Sequence, residues 1–324
     1  MKNLLLKSGF SSVVADHPIA FFDVGARGGF DADLWPIAFG VDAYGFEPNS
    51  REFDRLVQEA PGPWKSVQYF PHAIGDSDGR RTLHIPSDPQ AASLLAPKEN
   101  LSSRYDRDSF FKIEKMAEVE TLTLDHVLEK YDLPAPEMLK IDIEGLELAS
   151  LKSSPNMMEG LLAVKVEVAY VQVRDAQPVA WEIEAFMHQC GFMLMDLTGA
   201  SRWRTSGHVV HPHMSKEQIP YSRGQLIHGD YLFFRDPSTS KLSSIQLLKL
   251  GLLSISYGFF DLAQEMFSDD RTLELSGLGD ERKLLIALES CSRRYGRVVA
   301  RREFFHHLRL LGPYFRRFPD LLLR

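Results

Sequence analysis

Cysteine is nearly absent. Cys190 and Cys291 lie about a hundred residues apart, which offers neither a disulfide framework nor a zinc spacing and fits a reducing cytosol. Long apolar runs are missing too. The most apolar stretch, Leu247 to Phe260, is interrupted by Lys249 and closed by Asp261, too short an uncharged run to cross a bilayer. The opening MKNLLLKSGF has no long apolar region and no cleavage site, so no signal peptide is expected. Positive charge is scarce over most of the chain. The net charge is −7, yet Glu281 to Arg324 holds eleven Lys or Arg against four Asp or Glu, a local +7 that leaves −14 on everything before it. An acidic body argues against nucleic acid as its partner. Neither internal repeats nor low-complexity tracts occur.

What is present is an alternation of strand-like and helical runs through the first two thirds, which predicts a parallel sheet with helices on both faces. Core strands are expected at Ile19 to Val24, Val41 to Glu47, Val67 to Ile74, Met138 to Asp142, Leu162 to Val168, Phe192 to Leu197 and Tyr231 to Phe234. A helix is expected near Asp31 to Phe39, and Asn49 with Glu52 three residues on reads as a capping box. Arg80 to Ile85 and Glu118 to Leu122 read as further strands. The polar, turn-rich stretch from Pro86 to Phe111 reads as a mobile loop or lid. Pro237-Ser238-Thr239-Ser240 reads as a linker, dividing residues 1–236 from a helical segment at 241–324.

Chemistry concentrates at strand ends. Phe21-Phe22-Asp23-Val24-Gly25-Ala26-Arg27-Gly28-Gly29 places an acid and three glycines where a strand hands over to a helix. In a doubly wound sheet, ligands bind there, and glycine lets backbone N–H groups approach them. A dinucleotide fingerprint needs glycine at 27 and 30, where Arg27 and Phe30 stand. That argues against a nicotinamide enzyme. Glu47 ends the second strand twenty-two residues after Gly25, placed to accept both hydroxyls of a ribose. Asp23 suits a cationic, amine-bearing ligand, and Asp76 falls in an Asp-Ser-Asp-Gly turn. Asp142, Glu144, Glu147 and Glu167 fall at the ends of the fourth and fifth strands. There a crowded carboxylate can serve as general base, or two or three can hold a divalent cation. Glu144 and Glu147 equally suit a helix N-terminus. His72 follows the third strand as a turn histidine, and His208, His211 and His213 lack the spacing of a helical metal pair.

An ordered set of short motifs accompanies these residues: Phe22-Asp23-Val24-Gly25-Ala26, Gly45-Phe46-Glu47-Pro48, Ala73-Ile74-Gly75-Asp76, Thr123-Leu124-Asp125, Leu139-Lys140-Ile141-Asp142-Ile143-Glu144-Gly145, Glu167, and Gly229-Asp230-Tyr231-Leu232-Phe233-Phe234-Arg235. Over roughly residues 15 to 235 the series resembles the FkbM family of S-adenosylmethionine-dependent methyltransferases. The resemblance implies an α/β fold, a Rossmann-like class I methyltransferase sheet of seven mostly parallel strands with a closing antiparallel hairpin, followed here by a small α-helical appendage. It implies S-adenosylmethionine at Asp23, Gly25, Ala26, Gly28, Glu47 and Asp76, with Asp142, Glu144 and Glu167 at the reaction centre. It also implies a lid at Ser93-Leu94 and O-methylation of a small-molecule or glycan acceptor. A divalent cation is possible but not expected. The competing reading is a catalytically inactive binding module in glycan assembly. In the last segment, Tyr257 to Gln264 resembles one helix of a tetratricopeptide-like hairpin, but the segment is too short to stack repeats. Its arginines, interleaved with Phe304, Phe305, Leu308, Leu310, Leu311 and Phe315, suit either an anionic membrane surface or a core-packing helix. A homodimer is a further possibility.

Overall fold

The structure is a computed structural model and describes residues 2–206 and 223–316. After helix α1 (Ser11–Asp16), strand β1 (Ile19–Val24) enters the core, and a 3-10 helix over Ala32–Gly40 leads to β2 (Val41–Phe46). Helix α2 (Ser50–Gln58) starts at Asn49, whose side chain accepts the Glu52 N–H at 3.1 Å. Glu52 does not close the capping box; its carboxylate accepts the Gly28 N–H instead. The expected third strand is split at Pro71-His72 into β3 (Ser66–Phe70) and β4 (Ala73–Ile74). Proline has no N–H to donate to a ladder, and the two pieces join different sheets.

Next come β5 (Gly79–Pro86), α3 (Asn100–Tyr105), α4 (Asp108–Phe111), β6 (Ile113–Leu122), α5 (Leu124–Tyr131) and β7 (Met138–Ile141). They are followed by α6 (Glu147–Lys152), α7 (Pro155–Gly160), β8 (Ala163–Ala169), α8 (Ala180–Gln189), β9 (Phe192–Trp203) and β10 (Gln225–Arg235). The main sheet has seven strands in the order β3-β2-β1-β7-β8-β10-β9, with β10 antiparallel to both its neighbours and the other pairs parallel. That is the class I methyltransferase arrangement expected from the sequence. Strand order reverses beside β1, which opens a crevice at the carboxyl ends of β1 and β7. A second sheet, β4-β6-β5, stands beside it. The stretch read as a loop over 86–111 carries α3, α4 and a short 3-10 turn.

Alternate residues of a strand face opposite ways, so β1 feeds two cores. Phe22 and Val24 pack with Leu139, Ile141, Val164 and Val166 under α5 to α8. Ile19 and Phe21 pack on the other face with Phe10, Ile37 and Phe234. This second core is completed by the C-terminal helices α9 (Ser244–Tyr257), α10 (Phe260–Phe267), α11 (Asp270–Ser276) and α12 (Glu281–Arg316). Helix α9 is apolar nearly all round and buried from Leu250 to Ser256. Lys249 survives there by pairing with Glu137 at 2.5 Å, whose other oxygen accepts the Ala20 N–H. Among the described residues no helix is long and apolar enough to cross a membrane.

Candidate active site

Gly25 turns the chain at the end of β1 with φ +81°, and its N–H and that of Ala26 both donate to the Phe46 carbonyl at 3.1 Å. A Cβ on Gly25 would lie 2.0 Å from the Asp142 carbonyl oxygen, so only glycine fits. A cleft opens over this turn. It is lined by Gly25, Arg27, Glu47 and Asn49, by His72, Ile74, Leu83 and Ile85, by Gln90, Ser93 and Leu94 of the stretch after β5, and by Asp142 and Glu144 after β7. Glu47 is 4% exposed, and its Oε1 accepts the Asn49 N–H at 2.7 Å. Burial raises its pKa, against that hydrogen bond and the charge of Arg27. A buried carboxylate with this little support is an acceptor in want of donors.

The other predicted donor residues sit differently. Ala26 is buried beneath the turn. The Gly28 N–H is committed to Glu52 at 2.9 Å. Asp23 lies under the cleft, 1% exposed, accepting the Asp31 N–H at 3.0 Å and facing Lys140 Nζ at 3.3 Å. Asp76 is exposed, pairs with Arg81 at 2.6 Å and does not line the cleft.

The loop after β7 has an unusual backbone. Glu144 has φ +60° and Gly145 φ +121°. A non-glycine residue there is strained unless its surroundings impose it, and two buried side chains do so. Glu147 accepts the N–H groups of Ile143 and Gly145 at 3.0 Å, and burial pushes its carboxyl up to about 6 despite them. Glu147 thus shapes the loop and does not open into the cleft. Arg174, 1% exposed, donates Nε to the Glu144 carbonyl at 2.6 Å and Nη2 to the Ala91 carbonyl at 3.0 Å, and pairs with the Glu144 carboxylate. Ser93 Oγ also donates to the Glu144 carbonyl, at 2.8 Å.

Asp142, Glu144 and Glu167 each offer an oxygen within 4.8 Å of the others. Such crowding suits a shared proton or a hard divalent cation. Burial and the neighbouring carboxylates raise Glu167 well above the usual range, and Glu144 is pushed up to about 7 even with Arg174 beside it. Glu167 faces His228 Nδ1 at 2.9 Å. Burial lowers the His228 pKa, so the ring is neutral near pH 7. Lys140 stands between Asp23 (3.3 Å) and Asp142 (3.4 Å). Burial works against its charge, but the two carboxylates outweigh it and hold the ammonium protonated. His72 lines the cleft with Nε2 on the Tyr131 hydroxyl, and the loop with His208, His211 and His213 lies outside the described residues.

The family profile of the methyltransferase FkbM domain matches residues 23–194, from the acid of the first glycine turn to β9. The chain belongs to the FkbM methyltransferase family. It is similar to the hexuronic acid methyltransferase AglP of Haloferax volcanii, 27% identical over 157 residues, which cover 48% of this chain and 57% of that protein. Solved structures with a similar fold include the precorrin-6y C5,15-methyltransferase of Geobacter metallireducens (TM-score 0.30, 9% identity, 69% of this chain and 86% of that one). Another is the putative RNA methyltransferase PH1948 of Pyrococcus horikoshii (TM-score 0.31, 10% identity, 74% and 90%). The fold assignment rests on the strand order itself.

Several FkbM motif residues prove to be scaffolding. Asp125 caps α7 by accepting the N–H groups of Asn156 and Met157. Arg235 stacks on Phe192 at 4.0 Å and donates to the carbonyls of Cys190 and Leu161, tying β10 to its surroundings. Sequence reasoning missed Arg174 and His228 altogether. Arg174 sits in an irregular segment with no local pattern around it. His228 directly precedes the Gly229-Asp230 motif, which was its only available signal.

Proposed function

We propose that this FkbM methyltransferase moves a methyl group from S-adenosylmethionine to a hydroxyl of a sugar or glycan-type acceptor. The observation that carries this reading is one cleft that brings Glu47 and the Gly25 turn together with Asp142 and Glu144; we take the first pair as its donor end and the second as its acceptor end. The residues at the first end fit the donor. Gly25 leaves backbone exposed where a Cβ cannot stand, Glu47 is under-bonded and suits two ribose hydroxyls, and Ile74, Leu83 and Ile85 offer an apolar wall for a flat base. When bound, the donor supplies an electrophilic methyl group on a sulfonium.

The chain's own part is to position the acceptor, take its proton and exclude water. Asp142, 37% exposed by side chain, is the carboxylate best able to accept a hydrogen bond from an incoming hydroxyl and then its proton. Lys140 holds it from behind. Glu144, fixed by Arg174, is the second acceptor for a polyol. The lid residues Gln90, Ser93 and Leu94 cover the cleft against water. A sugar acceptor is supported by the hexuronic acid methyltransferase relative, and a hydroxyl by the all-oxygen acceptor lining at this end. A cytoplasmic location goes with this reading, since Cys190 and Cys291 are both free thiols, as a reducing compartment keeps them.

The 4.8 Å triad of Asp142, Glu144 and Glu167 favours a second reading, in which these three carboxylates would hold a divalent cation that would lower the hydroxyl's pKa. Labelled methyl transfer to a panel of neutral sugars and hexuronic acids tests the proposal, with and without excess chelator. Transfer that survives the chelator supports the carboxylate base, and transfer abolished by it supports the cation. If the protein binds the donor but methylates nothing, it is an inactive binding module. If it binds no donor, the reading fails.

A further inference from the structure

Helix α12 changes character at Tyr295. Before that point it belongs to the fold: Leu284, Leu288 and Cys291 are buried in the core, Arg294 donates to the Lys7 carbonyl at 2.8 Å, and the Tyr295 hydroxyl donates to the Tyr257 carbonyl at 3.2 Å. From Gly296 onward no described side chain is buried. Among the described residues, side-chain hydrogen bonds in this stretch stay within the helix, as with Arg302 to Glu303 and His307 to the Glu303 carbonyl. About 30 Å of helix therefore leaves the body.

This projecting part is not a polar spacer. Phe304 is 60% exposed, Leu308 43% and Leu311 44%. At i, i+4 and i+7 they share one face, which Phe305, 50% exposed, widens. Arg301 and Arg297 stand along that face one and two turns earlier, and Arg302 and Arg309 stand about a turn before and after Phe305 at its edge. Glu303 is the one acid between Ser292 and Arg316. An occupant must offer apolar surface and negative charge together. A second copy of this face offers the first but sets arginine against arginine. The rest of the chain, at −14, offers negative charge to the tail but is itself repelled by an anionic surface. We propose that the free half of α12 lies on an anionic lipid membrane. Its phenylalanines and leucines enter the headgroup boundary, its arginines meet lipid phosphates, and the acidic body stands off. The proposal is independent of the reaction assigned above.

The experiment is flotation of the full chain with phosphatidylcholine vesicles, alone or containing about one third phosphatidylglycerol. The expected result is that at least tenfold more protein floats with the anionic vesicles at low salt and that high salt releases most of it. The double substitution Phe304→Ser/Leu308→Ser, at sites that support no core, should abolish flotation while leaving donor affinity unchanged. Replacing Arg301, Arg302 and Arg309 by Gln should weaken flotation without changing the fold. The proposal is overturned if the wild type does not float, or if it floats equally on neutral vesicles. It is also overturned if sedimentation reveals a salt-sensitive dimer that the serine substitutions dissolve, since the face then belongs to a second copy.

Discussion

The two ends of the cleft are built by different means. The donor end is local. Gly25, Glu47 and Asn49 lie within twenty-five residues of one another, on two adjacent parallel strands joined through the Phe46 carbonyl. Its walls are backbone and apolar side chains. The acceptor end is assembled from afar. Lys140 is paired to Asp23 and Glu144 to Arg174, and Glu167 contacts the His228 ring, across separations of 117, 30 and 61 residues. Its substance is polar side chains, with ion pairs at Lys140 and Arg174. A site made of backbone tolerates little change of shape, whereas a site made of ion pairs depends on every partner, because a buried charge left alone is costly.

The comparison can be broken by substitutions that should act at one end. The largest expected effect is at Asp142. Asp142→Asn keeps the shape but removes the proton acceptor, so turnover should fall by about 10²- to 10⁴-fold with donor affinity within a few-fold of wild type. Equal loss of both would place Asp142 on the donor.

Arg174 ties the lid to the acceptor end, since it bonds both Ala91 and Glu144. Arg174→Met should destabilise the fold by about 3–5 kcal/mol, the usual cost of breaking a buried pair. It should also expose the segment around Ala91 and Ser93 to hydrogen exchange. Arg174→Lys retains charge, but one ammonium nitrogen cannot reproduce the spread of the guanidinium's Nε and Nη2 toward Glu144 and Ala91; its turnover should recover only in part. A lid that exchanges no faster in Arg174→Met would separate Arg174 from it.

A smaller effect concerns pH. Glu144 and Glu147 sit at about 7 and about 6, above their ordinary value of 4.5. A raised carboxyl pKa favours the protonated folded form, so this contribution is fully present below pH 4.5 and is lost as pH rises through 6 and 7. Turnover should move the opposite way, rising through neutrality as Glu144 ionises. Thermal melts and rates across pH 5 to 8 check both signs. Removing Arg174 should move the acid limb of the rate profile upward, because Glu144 loses its cation. The smallest expected effect is at Asp76: exposed and paired with Arg81, its replacement by Ala should change donor affinity less than about twofold.

The same division governs what the sequence reveals. Gly25 and Glu47 are legible because their function depends on a strand end and a fixed spacing, both of which leave a local pattern. The alternation of strands and helices is legible for the same reason, whereas the seven-strand sheet with its closing antiparallel hairpin follows only from the family resemblance. Pro71 marked the end of β3 in plain view, yet the run from Val67 to Ile74 reads as one strand until the partner of β4, distant β6, is known. The lid looked structureless because its helices are short and are held from afar: their own Tyr105 and Phe111 pack on distant Trp203, and Arg174 bonds the Ala91 carbonyl. Long-range polar contacts such as Glu167–His228 leave no periodic trace. The acceptor end therefore yielded its acids, which follow strand ends, and concealed its bases.

Calorimetric titration of S-adenosylmethionine into the wild type and into Glu47→Ala tests the central claim most directly. Each charge-assisted hydrogen bond to the ribose contributes about 1.5–3 kcal/mol, so the substitution should weaken binding well over tenfold while Asp142→Asn binds as the wild type does. Unchanged affinity in a folded Glu47→Ala protein, or a wild type that takes up no donor, would contradict the account.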